Sequence, residues 1–157
     1  AMKAVDGQLL LVGEGPLKND LKKLATDLGI EDRVHFVGKV VDDDLPAYYH
    51  ACDVFTLPSV ARSEAFGLVQ LEAHACGKPV VSTNLTTGVP YANLDGVTGI
   101  IVPPCSTEAL SGAINKLLND ENLRNKYGTN GKRRVNEEFT KELMAKRVLE
   151  IYEELMV

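Results

Sequence analysis

The chain has no tryptophan, few aromatic residues (6%) and only three cysteines among its 157 residues. Cys52, Cys76 and Cys105 lie far apart, and no CxxC pair occurs. An odd, scattered set excludes a disulfide framework and fits reduced thiols in a cytosolic protein. His35, His50 and His74 are scattered too. None pairs at i, i+4 around a helical glutamate, so the sequence carries no zinc signature and no metal is expected. No apolar run reaches membrane-spanning length, and the N-terminal residues do not read as a signal peptide. A positive charge balance is also missing: the formal net charge is −5. That argues against nucleic acid as a partner, because a surface that tracks phosphates is normally basic. The one basic cluster, Lys132–Arg134, is short and reads first as a solvated helix face. Repeats, low-complexity tracts and long linkers are absent as well.

What is present is a chain of single-domain size, 45% apolar and 25% charged, able to bury a core. Gln8–Val12 is a short, continuous apolar run that ends in glycine, like a strand buried on both faces. Pro16 suits a first helical position, and Leu17, Leu21, Leu24, Ala25 and Leu28 follow at helical spacing up to the stop at Gly29. Val34–Val37, Val54–Leu57, Pro79–Ser82 and Gly99–Val102 are further strands. Leu45–Ala51 and Phe66–Cys76 are helices, and Ser106 caps another. Two helical stretches are expected after Asp120. A last helix, within residues 139–157, is capped by Thr140.

Short strands alternating with helices predict one α/β domain over residues 1–157, with a parallel, Rossmann-like sheet of about five strands and helices on both faces. Such sheets bind ligands beyond the carboxyl ends of their strands. The loops of interest are therefore Gly13–Pro16, Gly38–Asp44, Pro58–Gly67 and Thr83–Pro90. In the first, two glycines follow a strand, but the third glycine of a dinucleotide fingerprint should fall at Lys18 and does not. Pro16 also removes an amide. A nicotinamide or flavin site is rejected, and no GxxxxGK[ST] phosphate loop occurs. A tight turn forming one wall of a nucleotide cleft remains.

The richest segment is Pro58–Gly77. Gly67 lies near the start of a helix, where backbone amides lack internal partners and the dipole favours a phosphate. Glu64 lies before that helix and Glu72 within it. Two carboxylates so spaced can accept hydrogen bonds from two hydroxyl-bearing rings on either side of a diphosphate. The plain alternative is a loop glutamate favoured by the dipole and a solvated helix glutamate. Spacing alone does not separate the two.

Five segments in order do. LLLVGEGPL, RVHFVGKV, ACDVFTLPS, SEAFGLVQLEAHACGKPVVST and GVTGIIVPP resemble, over nearly the whole chain, the C-terminal half of retaining glycosyltransferases of the GT-B type, in the large family 4. Glu64 and Glu72 match that family's E-x7-E motif. The resemblance implies a donor-binding domain that acts in moving a hexose from a UDP- or GDP-linked sugar to a saccharide or lipid-linked acceptor, as in polysaccharide assembly. It implies that Glu64, the residue assigned to catalysis, bonds hydroxyls of the transferred sugar. Phe66, Gly67 and Leu68 would offer amides to the sugar and diphosphate, and Glu72 would hold the ribose. Gly38, Lys39 and Val40 would pass beside the nucleobase, with Gly13 admitting the nucleotide at the end of the first strand. Cofactors and metals are not implied, since dipoles and basic side chains stabilise the leaving diphosphate. Relatives often sit at the inner membrane face, but no basic amphipathic helix marks such an attachment here.

Two departures qualify these expectations. His74 stands where the family usually has methionine, and a packing or surface role is expected for it. The family's half-domain also begins with one more strand and helix, preceded by a segment whose Arg and Lys grip the diphosphate. No residue here takes either basic role, and Ala1–Gly7 is expected to be only the end of that helix. Without that strand, which is central in the order 3-2-1-4-5-6, the sheet must close up, pair with another copy, or rearrange. Partners expected are thus a nucleotide sugar, an N-terminal acceptor-binding domain, and a second copy at the seam. The chain alone is expected to transfer little sugar. An epimerase or phosphorylase relative and a non-catalytic interaction module remain as alternatives.

Overall fold

The computed structural model describes residues 1–156. Five parallel strands form, but in two separate sheets. In the first, β1 (Leu9–Val12) pairs with β2 (Val34–Gly38), placing Leu9 opposite Val34 and Leu11 opposite Phe36. In the second, the order is β3 (Phe55–Leu57), β4 (Val80–Thr83), β5 (Gly99–Val102). No pairing joins β1 to β3 among the described residues, so the expected gap is not closed by direct pairing of the flanking strands. Each of those two strands pairs along one edge alone.

The strand β4 is buried along its whole length, as a central parallel strand must be. Successive side chains on a strand point to opposite faces, and β4 shows both faces covered. Val81 packs with Val102, Ala113, Ile114, Leu117 and Tyr127, beneath α5 (Thr107–Leu118) and α6 (Glu121–Glu138). Val80 packs with Tyr49 and Ala73, beneath α2 (Leu45–Ala51) and α3 (Leu68–Ala75). The two sheets are tied by the N-terminal segment. Met2–Ala4 forms a 3-10 turn, and Val5 enters the Val81 cluster at 3% exposure. Arg33, just before β2, donates to the carbonyl of Val5 at 2.6 Å, and Asn115 of α5 donates to that of Ala4 at 2.7 Å.

Caps behave as their chemistry predicts. Ser106, Asp120 and Thr140 each accept from the amide three residues on, starting α5, α6 and α7 (Lys141–Leu155). Three local expectations are corrected. Pro16 is not the first helical residue: it sits in a turn, Leu17 caps, and α1 runs over Lys18–Asp27. The Thr83–Pro90 loop contains the start of a short helix, α4 (Val89–Ala92). The two stretches expected after Asp120 are one continuous helix, α6, despite Gly128 and Gly131. Those glycines serve packing. A Cβ at Gly128 would collide with the carbonyl oxygen of Gly77, and one at Gly131 with the His74 ring.

Candidate functional site

The segment singled out by sequence is built as a hung loop leading into α3. It leaves the carboxyl end of β3 at Pro58 and is held at several points. Thr83, at the end of β4, donates to the carbonyl of Ser59 at 2.5 Å. The amide of Gly88 donates to the carbonyl of Ala65 at 2.7 Å. Gln70, fully buried, donates to the carbonyls of Phe66 at 3.1 Å and Val89 at 3.4 Å. Gly67 then caps α3 in the left-handed region, at φ 74° and ψ 61°. This conformation costs a side-chain-bearing residue roughly 1–2 kcal/mol and glycine nothing.

The amides of Phe66, Gly67, Leu68 and Val69 donate to no protein acceptor among the described residues. Four free N–H groups at a helix start, with the dipole behind them, can act as an anion cradle. The helix starts at Leu68 rather than Phe66, which leaves Phe66 and Gly67 in the cradle. The Phe66 side chain instead packs against Tyr91 and Phe139, with ring centres 6.3 and 6.2 Å away. Arg134 lies over Tyr91 and Phe139 at 5.2 and 4.9 Å and donates to the carbonyls of Tyr91 and Ala92.

The carboxylates flank this cradle. Glu64 is half-buried, and Ser59 Oγ lies 3.5 Å from its Oε2, at the long limit for a hydrogen bond. Glu72 is solvent-exposed on the second turn of α3, and its Oε2 accepts a 2.6 Å hydrogen bond from the Tyr49 hydroxyl. Burial, and then that bond to Glu72, push the Tyr49 phenol above its ordinary range. Tyr49 and Gln70 are the residues that sequence reasoning missed. Each acts on a segment 19 to 23 residues away, which no local pattern shows.

The other expected site residues gather elsewhere. Gly13 and Gly38 both have positive φ, and the Gly13 amide donates to the carbonyl of Gly38 at 2.8 Å, joining the carboxyl ends of β1 and β2. Lys39 is exposed and Val40 half-buried just beyond. No hydrogen bond links this pair of loops to the Glu64–Glu72 segment among the described residues.

His74 takes the packing role. It is buried at 1% exposure, and its Nδ1 lies 3.1 Å from the carbonyl of Lys78. Nδ1 must carry the proton to donate there, which leaves Nε2 buried without a partner. Burial lowers its pKa to about 4, against the opposing pull of the Lys78 carbonyl. The unfolded chain therefore takes up this proton first as pH falls below about 6.5. The stability present at pH 7 is lost as pH drops from there toward 4. At pH 5 the loss from this group is about 2 kcal/mol, at ~1.4 kcal/mol per unit. Denaturant titrations at pH 7 and pH 5 should show it in the native chain, and much less of it in His74→Met.

Comparison with known proteins places this arrangement. The family profile "Glycosyl transferases group 1" matches residues 2–134. The chain is 35% identical to the O-antigen chain mannosyltransferase C of Escherichia coli, over 94% of its own length and 40% of that protein. It is 37% identical to the D-rhamnosyltransferase WbpZ of Pseudomonas aeruginosa, over 89% of its length and 36% of that protein. Sucrose-phosphate synthase from Thermosynechococcus elongatus superposes with a TM-score of 0.89 at 35% identity, covering 99% of this chain and 40% of the other. Anabaena Alr3699/HepE, solved in complex with UDP, superposes at 0.88 with 28% identity, covering 98% of this chain and 43% of the other. The fold is that of one domain of these GT-B glycosyltransferases. The chain belongs to the glycosyl transferases group 1 family, and it spans about 40% of the length of these relatives. No described helix is long and apolar enough to cross a membrane.

Proposed function

We propose that this chain is the donor half of a retaining, family 4 hexosyltransferase that takes its sugar from a UDP- or GDP-linked donor. The observation that carries the reading is the start of α3: four free amides flanked by Glu64 and Glu72. The amides of Phe66, Gly67 and Leu68 receive the diphosphate and the sugar. Glu64 accepts from sugar hydroxyls and Glu72 from ribose hydroxyls. The loops after β1 and β2, at Gly13 and Gly38–Val40, border the nucleobase. As the diphosphate leaves, its growing charge meets N–H groups that no protein acceptor occupies, and fixed donors at developing charge are where a reaction is accelerated most. We assign Glu64 to orienting the donor sugar, not to nucleophilic attack, and we propose no cofactor or metal. The sugars named for the bacterial relatives, mannose and rhamnose, favour polysaccharide or glycoconjugate assembly.

Transfer needs an acceptor held against the donor, and a second half-domain provides that in this architecture. The chain by itself is therefore expected to bind donor and to transfer little sugar. The free edges of β1 and β3 are proposed pairing sites for a further strand, from the parent protein or a second copy.

The test is an amide-resolved NMR titration with UDP, GDP, UDP-glucose and GDP-mannose. At least one of them should shift Phe66, Gly67 and Leu68 in a saturable way, with a common dissociation constant. Shifts confined to the basic stretch Lys132–Arg134, or none at millimolar ligand, would overturn the reading.

A further inference from the structure

Resting on the reading that Glu72 receives ribose hydroxyls, we infer that Tyr49 is a positioning residue for that carboxylate and tunes affinity for the ribose alone. Tyr49 lies on α2, a different element from the site loop, and the residue is buried, at 8% exposure. It is held in place by its neighbours. Its ring is tilted against Phe55 at 5.5 Å, and its carbonyl accepts from the Cys52 thiol at 3.2 Å. The ring therefore has little freedom, and its hydroxyl points at Glu72 Oε2 from 2.6 Å.

Glu72, in contrast, is exposed. A glutamate on a helix surface samples many rotamers, and fixing it costs side-chain entropy. A hydrogen bond to the carboxylate from a fixed phenol offsets that cost. Tyr49 thus meets that ordering cost before the ligand arrives. It occupies Oε2 and leaves Oε1 and the remaining lone pairs for a vicinal diol. Burial raises the phenol pKa, so the group stays a proton donor throughout the working pH range. No other side chain donates to Glu72 among the described residues, so the orientation depends on this one bond.

The experiment compares UDP and GDP with their 2′,3′-dideoxy analogues, titrated into the wild-type chain, Tyr49→Phe and Glu72→Ala. Tyr49→Phe should weaken the ribonucleotide that binds by about 5- to 10-fold and leave its dideoxy analogue within about 2-fold. A merely structural role would weaken both equally, and that result overturns the inference. So does an unchanged Tyr49→Phe beside a weakened Glu72→Ala. Glu72→Ala binding the ribonucleotide like wild type, or neither nucleotide binding wild type, brings down the ribose reading itself, and the inference falls with it. A measurement on unaltered protein guards against misfolding of the variants. The 13Cζ resonance of Tyr49, in tyrosine-labelled wild type, should move on saturation with the ribonucleotide and not with the dideoxy form. A resonance that does not move with the ribonucleotide overturns the inference independently.

Discussion

Replacing Gly67 with alanine should abolish detectable nucleotide binding and lower stability by about 3 kcal/mol. Two causes act together. Alanine at φ 74° costs roughly 1–2 kcal/mol in the left-handed region. Its Cβ would also lie 2.5 Å from Leu57 Cδ2 and 2.8 Å from Gln70 Nε2. Both are flexible ends and can move, but the Gln70 amide cannot leave without consequence. It holds the carbonyl of Phe66, which no other group among the described residues donates to, and a carbonyl left unpaired away from water costs about 1–3 kcal/mol. The loop would relax away from the conformation that presents the unpartnered Phe66, Gly67 and Leu68 amides at the start of α3. Calorimetric melting and a UDP or GDP titration on the same variant check both parts. Unchanged binding would show that the cradle does not depend on the left-handed cap.

Gly128→Ala should lower stability by about 3–4 kcal/mol, a fall in Tm of about 10 °C for a chain of this size. The new methyl group would meet the carbonyl oxygen of Gly77, which is backbone and cannot swing away. Gly77 is itself fixed at φ 72°, its amide bonded to the carbonyl of His74 at 2.8 Å. The strain can be relieved only by moving α6 away from α3. Overpacking of this kind costs typically 1–3 kcal/mol. The separation also loosens the His74 contact with Gly131, one turn along, and the Arg134 bonds to Tyr91 and Ala92. A melting curve within about 2 °C of wild type would mean the helices are not held at that distance.

These two glycines show what the sequence makes legible and what it hides. Gly67 could be read locally: a strand, a loop and an apolar helical stretch within twenty residues place it at a helix start. Gly128 could not, because a mid-helix glycine has the same appearance whether it breaks a helix or admits a neighbour. Strand positions, the caps at Ser106 and Thr140 and the place of the two glutamates follow from patterns within one element. Tyr49 and Gln70 escape such patterns, because each acts on atoms brought near only by folding. The division into two sheets was legible as a missing neighbour for two strands, but not which outcome follows. The bridge through Val5, Arg33 and Asn115 depends on contacts spanning up to 111 residues.

The central claim is a division of labour: Glu72 for the ribose and Glu64 for the sugar. Isothermal titration of Glu72→Ala and Glu64→Ala with a nucleoside diphosphate and with the matching nucleotide sugar tests it most directly. The account predicts that Glu72→Ala weakens both ligands by about 10-fold or more, as expected when bonds worth about 1.4 kcal/mol or more are lost. It predicts that Glu64→Ala leaves the nucleoside diphosphate unchanged and removes only the added affinity of the sugar. Equal weakening of both ligands by both variants, or by neither, would contradict it.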